Sequence, residues 1–110
     1  RKKCVLIIGS GNMVHNLGMI AWDKMNQPDF GYDWALEMNK TFKQLILDGN
    51  HAALTDYSKL GPDARKAIPT PDHYLPLLYI LGLKKENEKM TFFNDKAVMG
   101  SITMTSLKIG

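Results

Sequence analysis

Apolar and polar positions follow three different rhythms along this chain of 110 residues. Cys4-Val5-Leu6-Ile7-Ile8 is an unbroken apolar run, rich in β-branched residues and stopped by Gly9. Such a run predicts a strand buried on both faces, as in a parallel sheet covered by helices. Gly9-Ser10-Gly11-Asn12 then reads as a tight loop. Residues 13–32 read as an irregular stretch crossing the surface, with Asn26-Gln27-Pro28-Asp29 as a turn signal.

A helical period sets in after Asp33, whose side chain suits an N-cap. Trp34, Met38, Phe42, Leu45 and Ile46 fall on one stripe of a helix from Trp34 to about Asp48, and Gly49 supplies its stop. A second short helix is predicted after Asn50, and Pro62-Asp63 open a third that ends near Ile68. Thr70-Pro71 combines a capping hydroxyl with proline at the first helical position, which predicts a helix to Leu81 with Gly82 beyond it. The last third is β-prone: Met90–Phe93, Ala97–Met99 and Ile102–Ile109 are separated by Asn94-Asp95 and Gly100-Ser101. Strand, helices and then strands predict an α/β fold, a layered sheet with flanking helices, most economically half of one sheet. There is no internal repeat and no flexible linker.

Composition narrows the classes. With 45% hydrophobic and 23% charged residues the chain is a globular domain rather than a disordered one. No apolar run approaches the roughly 20 residues that span a bilayer, and nothing at the N-terminus has the form of a signal peptide. One cysteine, Cys4, excludes an intrachain disulfide and a Cys-based zinc knuckle. It suits a reducing compartment, so a cytoplasmic location is expected, with no membrane partner. The net charge is only +3, and Arg1-Lys2-Lys3 and Lys84-Lys85 lack an aromatic platform, so no nucleic-acid partner is expected. The start at Arg1 rather than Met, almost directly before a buried-type strand, reads as a piece of a longer protein.

Three histidines differ in context. His15 lies just past the strand-loop unit, where groups beyond the carboxyl ends of strands line the ligand crevice of open α/β sheets. A structural ring bonded to loop backbone is the competing reading. His73 is the third residue after Thr70, where a helix N-terminus disfavours imidazolium and leaves a lone pair for a metal. A surface histidine near a cap is the plainer alternative. His51 follows Gly49-Asn50 at a helix boundary and fits an exposed cap position. Two histidines 58 residues apart do not make a metal motif, and an open catalytic site takes three protein ligands. A site would therefore be completed elsewhere, or there is none. Gly9-x-Gly11 suggests a dinucleotide loop, but Val14 stands where the third glycine belongs, and no bound nucleotide cofactor is expected. The seven methionines and Trp34, Phe42, Phe92 and Phe93 read as core filling.

Two stretches go further. Gly9-Ser10-Gly11-Asn12-x-Val14-His15-Asn16-Leu17 and Thr70-Pro71-Asp72-His73-Tyr74-Leu75-Pro76-Leu77-Leu78-Tyr79 resemble the two C-terminal histidine motifs of the class III extradiol ring-cleavage dioxygenases. The branch acting on DOPA-like catechols is the most similar. Tyr32-Asp33-Trp34-Ala35 with Asn39, Met99-Gly100-Ser101 and the ending Ile109-Gly110 match the same branch in order, so the resemblance covers the whole chain. It implies that residues 1–110 are the C-terminal part of one α/β catalytic domain, with the N-terminal half and its two further histidine motifs absent. It implies a mononuclear non-haem metal, Fe(II) as the working ion, with Zn(II) able to occupy the same imidazole site. His73 would be a metal ligand. His15 would lie beside the metal as acid/base toward substrate, or complete the coordination when substrate is absent. The partners implied are a catechol, dioxygen and the missing half, and homo-oligomers stay open. By itself the chain is expected to be inactive.

Two other readings compete. One is a zinc-binding α/β protein without dioxygenase activity, and the other is a nucleotide-binding or interaction module built on the Gly9-Ser10-Gly11 loop. A piece of a sheet is further expected to expose an apolar face or to pair with another chain.

Overall fold

The computed structural model describes residues 4–110, so the basic group Arg1-Lys2-Lys3 lies outside the described residues. Helix α1, Asp33–Leu47, is the spine of the molecule. Its buried positions Ala35, Met38, Phe42 and Ile46 repeat every three or four residues, which puts them on one face. Asp33 is the first helical residue and not the cap. Tyr32 holds the cap position without a side-chain bond, and the Asp33 carboxylate instead complements the positive end of the helix.

Helices α2, His51–Thr55, and α3, Pro62–Ala67, fold back on this face. Asn50 caps α2 by accepting from the Ala53 backbone N–H, so the cap belongs to Asn50, and His51 is simply exposed in the first turn. Leu54, Ala64, Ala67, Ile68, Tyr74 and Leu81 join the core, with Met13 and Val14. The Tyr74 hydroxyl, fully buried, donates to the Leu54 carbonyl at 2.6 Å and ties the next segment to α2. Burial raises the Tyr74 phenol well above its ordinary value, so it remains a donor.

The single helix expected from Thr70 to Leu81 is two elements. Pro71–His73 forms one 3₁₀ turn, Tyr74 breaks the run, and α4 spans Leu75–Gly82. Pro76 is the cause: it has no N–H to give the Asp72 carbonyl, and its ring would collide with that carbonyl in a continuous helix. Thr70 makes no side-chain cap bond.

The strands are short and antiparallel. Met90–Phe93 (β1) pairs with Ser106–Ile109 (β4), Met90 opposite Ile109, and Ala97–Val98 (β2) pairs with Ile102–Thr103 (β3). The expected strand Ile102–Ile109 is thus divided at Met104-Thr105, each half serving a different hairpin. Phe93 is not core: the pleat turns Met90 and Phe92 inward and leaves Phe93 half exposed. Among the methionines Met13 and Met38 are buried, whereas Met25 and Met104 are exposed.

The mixed helix-and-strand composition agrees with an α/β fold, but Cys4–Ile8 is not a strand among the described residues. Val5, Leu6 and Ile8 are exposed by 63%, 82% and 78%, so the expected exposed apolar face is present. A buried strand needs hydrogen-bonding neighbours on both edges, and no described segment pairs with this one. Instead the run borders a cavity of about 690 Å³ that reaches α4 and the β1–β4 hairpin. The stretch expected to cross the surface starts in the core: Met13 and Val14 are buried. It then makes 3₁₀ turns at Leu17–Met19 and Trp22–Lys24, and Gly31 bridges Gly100. Among the described residues no helix is long and apolar enough to cross a membrane.

Candidate functional site

His15 and His73 are brought together by backbone, each held by residues far away in sequence. The His15 N–H donates to the Ala67 carbonyl at 2.9 Å, at the end of α3, and on its other side His15 bridges Ile102 of β3. Flanking bonds finish the clamp. Thr103 N–H donates to the Val14 carbonyl at 3.0 Å and Asn16 N–H to the Ser101 carbonyl at 3.1 Å. The Ser101 hydroxyl returns a bond to the Asn16 carbonyl at 2.6 Å, and the Asn16 amide donates to the Lys66 carbonyl at 2.9 Å. His73 ends the 3₁₀ turn that Pro71 starts, and its carbonyl accepts from Asn12 N–H at 2.7 Å. The loop and this turn are in direct backbone contact: a Cβ at position 11 would stand 2.1 Å from the His73 oxygen. Glycine is therefore required at Gly11 for space.

The result is a pair of imidazoles with ring centroids 3.9 Å apart and planes at 87°. The edge of one ring meets the face of the other. His15 has its pKa lowered, first by burial and second by the neighbouring His73. His73 Nδ1 lies 3.9 Å from an Asp72 carboxylate oxygen, beyond hydrogen-bond reach. That carboxylate is itself held below its ordinary range chiefly by the Thr70 hydroxyl. Thus Thr70 acts on Asp72 rather than as the expected cap.

Two imidazoles within one ring's breadth offer nitrogen donors for a borderline transition ion, and the pair fits part of a mononuclear site. Among the described residues no group of three or more His, Cys, Asp or Glu could hold a metal. His51 stands apart, on α2. Gly9-Ser10-Gly11 runs into a turn rather than a helix, so the loop lacks the helix N-terminus on which a pyrophosphate would sit.

Three supporting features were not legible as site residues in the sequence. Asn12 and Ser101 act on the loop through side-chain bonds to distant backbone. Asn39, buried in α1, donates to Asp95 at 2.9 Å and sits 2.7 Å from the Thr105 hydroxyl, while Lys43 pairs with the same carboxylate. This network fixes the turn between β1 and β2 against α1. Asn12, Asn39 and Ser101 stand out only through the resemblance; polar residues in such positions carry no periodic signal.

The chain is similar to known proteins along its length. The model of the family "Catalytic LigB subunit of aromatic ring-opening dioxygenase" matches residues 1–108. A 4,5-DOPA dioxygenase extradiol of Escherichia coli K12 is 35% identical over all of this chain and 40% of its own length. A protein of the same name from Mirabilis jalapa is 32% identical over 77% of this chain and 30% of its own length. The crystal structure of an uncharacterized E. coli K12 protein superposes with a TM-score of 0.69 at 34% identity, covering 92% of this chain and 41% of that one. The chain therefore spans less than half the length of these relatives. By the family match, the chain belongs to the LigB family of aromatic ring-opening dioxygenases.

Proposed function

We propose that this chain carries the His15–His73 side of a metal-dependent extradiol site, in a protein that opens a DOPA-like catechol with dioxygen. Support comes from one observation above the rest. Two rings 58 residues apart, each inside a family histidine motif, lie with centroids 3.9 Å apart. The names of the relatives point to the same chemistry. The reading takes the chain as the C-terminal part of one catalytic domain and assigns the remaining ligands to the rest of the protein.

His73 would hold the ion, since its 3₁₀ turn presents the ring from a rigid, proline-started backbone. A ferrous ion bound there would supply Lewis-acid polarisation of the catechol oxygens and the electron relay that dioxygen needs. Imidazole donors also suit zinc, so Zn(II) in purified protein agrees with the same site. His15 would act as the base. Its lowered pKa keeps a ring nitrogen unprotonated at neutral pH, ready to accept a phenolic proton, and its partial burial shields that nitrogen from bulk water. Its backbone clamp keeps the ring from following the substrate, which preserves the distance over which a proton moves.

The test uses the complete protein. His73→Ala is expected to lose bound metal, and His15→Ala to retain metal but lose turnover. Metal analysis of both variants, beside oxygen uptake with a catechol and ferrous ion, decides it. Full activity in either variant removes its role, and bound zinc with no oxygen uptake in the parent protein replaces ring cleavage by simple zinc binding.

A further inference from the structure

Three elements must keep register for the two imidazoles to stay in contact: the loop 9–16, the Pro71–His73 turn and β3. One residue touches all three. The Asn12 backbone N–H donates to the His73 carbonyl at 2.7 Å. Its side-chain amide Nδ2 donates to the Thr103 carbonyl at 2.8 Å, across 91 residues of sequence. Asn12 is itself half-buried in the loop that delivers His15 three residues later. The acceptor is a carbonyl, so the bonding atom must be the amide nitrogen.

β3 acts as a common ruler. Thr103 gives its N–H to Val14 and its C=O to Asn12, while Ile102 bridges His15. Both backbone groups of Thr103 are thereby engaged by the loop, one by backbone and one by the Asn12 side chain. Without the amide, the Thr103 carbonyl loses that partner, and the loop is held on this side only through Val14, His15 and Asn16, all past the residue that carries the His73 contact. The absence of space at Gly11 makes the coupling stiff, because the loop cannot shift toward the turn to compensate.

We infer that Asn12 is a positioning residue, whose side-chain bond to β3 and backbone bond to His73 together set the spacing of the His15 and His73 rings. It touches neither substrate nor metal in this role. The inference rests on the ring-cleavage reading only for its metal-binding arm; the spacing of the rings stands without it.

The experiment uses the complete protein labelled at histidine. The parent is expected to show a ring-to-ring nuclear Overhauser effect between His15 and His73. In Asn12→Ala this effect is expected to vanish and zinc affinity to fall about tenfold or more, as when an outer partner of a metal ligand is lost. Asn12→Asp keeps the shape but has no donor, and it should behave alike where the alanine variant folds poorly. Thr105→Val is the control for general loosening. It removes a hydroxyl lying 2.7 Å from Asn39 Oδ1 and 3.0 Å from Asp95 Oδ1, and it should keep both signals. The inference is overturned by an Asn12→Asp or Asn12→Ala variant with the parent's ring contact, by a parent without that contact, or by Thr105→Val losing it equally. A parent that has the ring contact but binds no zinc removes the metal reading, while the ring contact in the variants still decides the role of Asn12.

Discussion

Replacing Gly11 by alanine perturbs the point where loop and turn backbones meet. The added Cβ would lie 2.1 Å from the His73 carbonyl oxygen and 3.1 Å from its carbonyl carbon. Neither is the flexible end of a side chain, so one backbone must retreat by about 1 Å to restore ordinary contact, an overpacking that costs about 1–3 kcal/mol. The same retreat stretches the 2.7 Å bond from Asn12 N–H to that oxygen, which contributes roughly another 1 kcal/mol. Gly11→Ala should therefore destabilise the protein by about 2–4 kcal/mol in urea unfolding, with unchanged denaturant sensitivity. A crystal structure of the variant should show the His73 turn displaced from the loop and the ring centroids farther apart than 3.9 Å. A loss below about 0.5 kcal/mol with the turn in place would refute the reasoning, since surface substitutions behave that way.

Tyr74→Phe leaves the buried Leu54 carbonyl without its 2.6 Å donor and should cost about 1–3 kcal/mol, read by thermal or urea unfolding; a neutral result would mean that water reaches the carbonyl. Acid should weaken the tie between α1 and the β1–β2 turn. The Asp95 pKa is lowered first by the Lys43 ammonium and also by Asn39 and Thr105, so folded Asp95 holds its proton less readily than unfolded Asp95. Its contribution is complete above the ordinary value of 3.8 and is lost as pH falls through the lower folded value. Asp95→Asn should flatten the stability profile below the ordinary carboxylate value, whereas an unchanged slope would place the acid sensitivity elsewhere. In the complete protein a chelator should abolish oxygen uptake and leave the circular dichroism of these helices unchanged, because the packed core rather than the ion holds the two histidines in place.

Much of this was legible in the chain because the signals were periodic or stereochemical. The α1 stripe of Met38, Phe42 and Ile46, the Gly49 stop and the strand Met90–Phe93 follow from spacing and turn chemistry. The helix from Thr70 did not survive, because Pro76 sits where a continuous helix needs an N–H, a local veto that outweighs an apolar pattern. Cys4–Ile8 does not form the expected strand, because apolar content indicates what a segment must bury and not whether a partner is there to bury it. The histidine pair was legible only through the motifs around it. Spacing of 58 residues carries no geometric content, and the Asn12–Thr103 tie that sets it is an ordinary polar residue in a loop.

The order in which the molecule assembles follows from the bonds around these rings. His15 leans on Ala67 and Ile102, and His73 on Asn12, so every anchor of one ring lies dozens of residues away along the chain. Loop-closure entropy must be met before any of those contacts forms, which makes the pair a late product of folding rather than a nucleus. A metal ion thus has no preformed local hairpin to seize in the unfolded chain, in contrast to a zinc finger. Ion capture is accordingly expected only after the tertiary structure is complete, as a separate phase that depends on metal concentration.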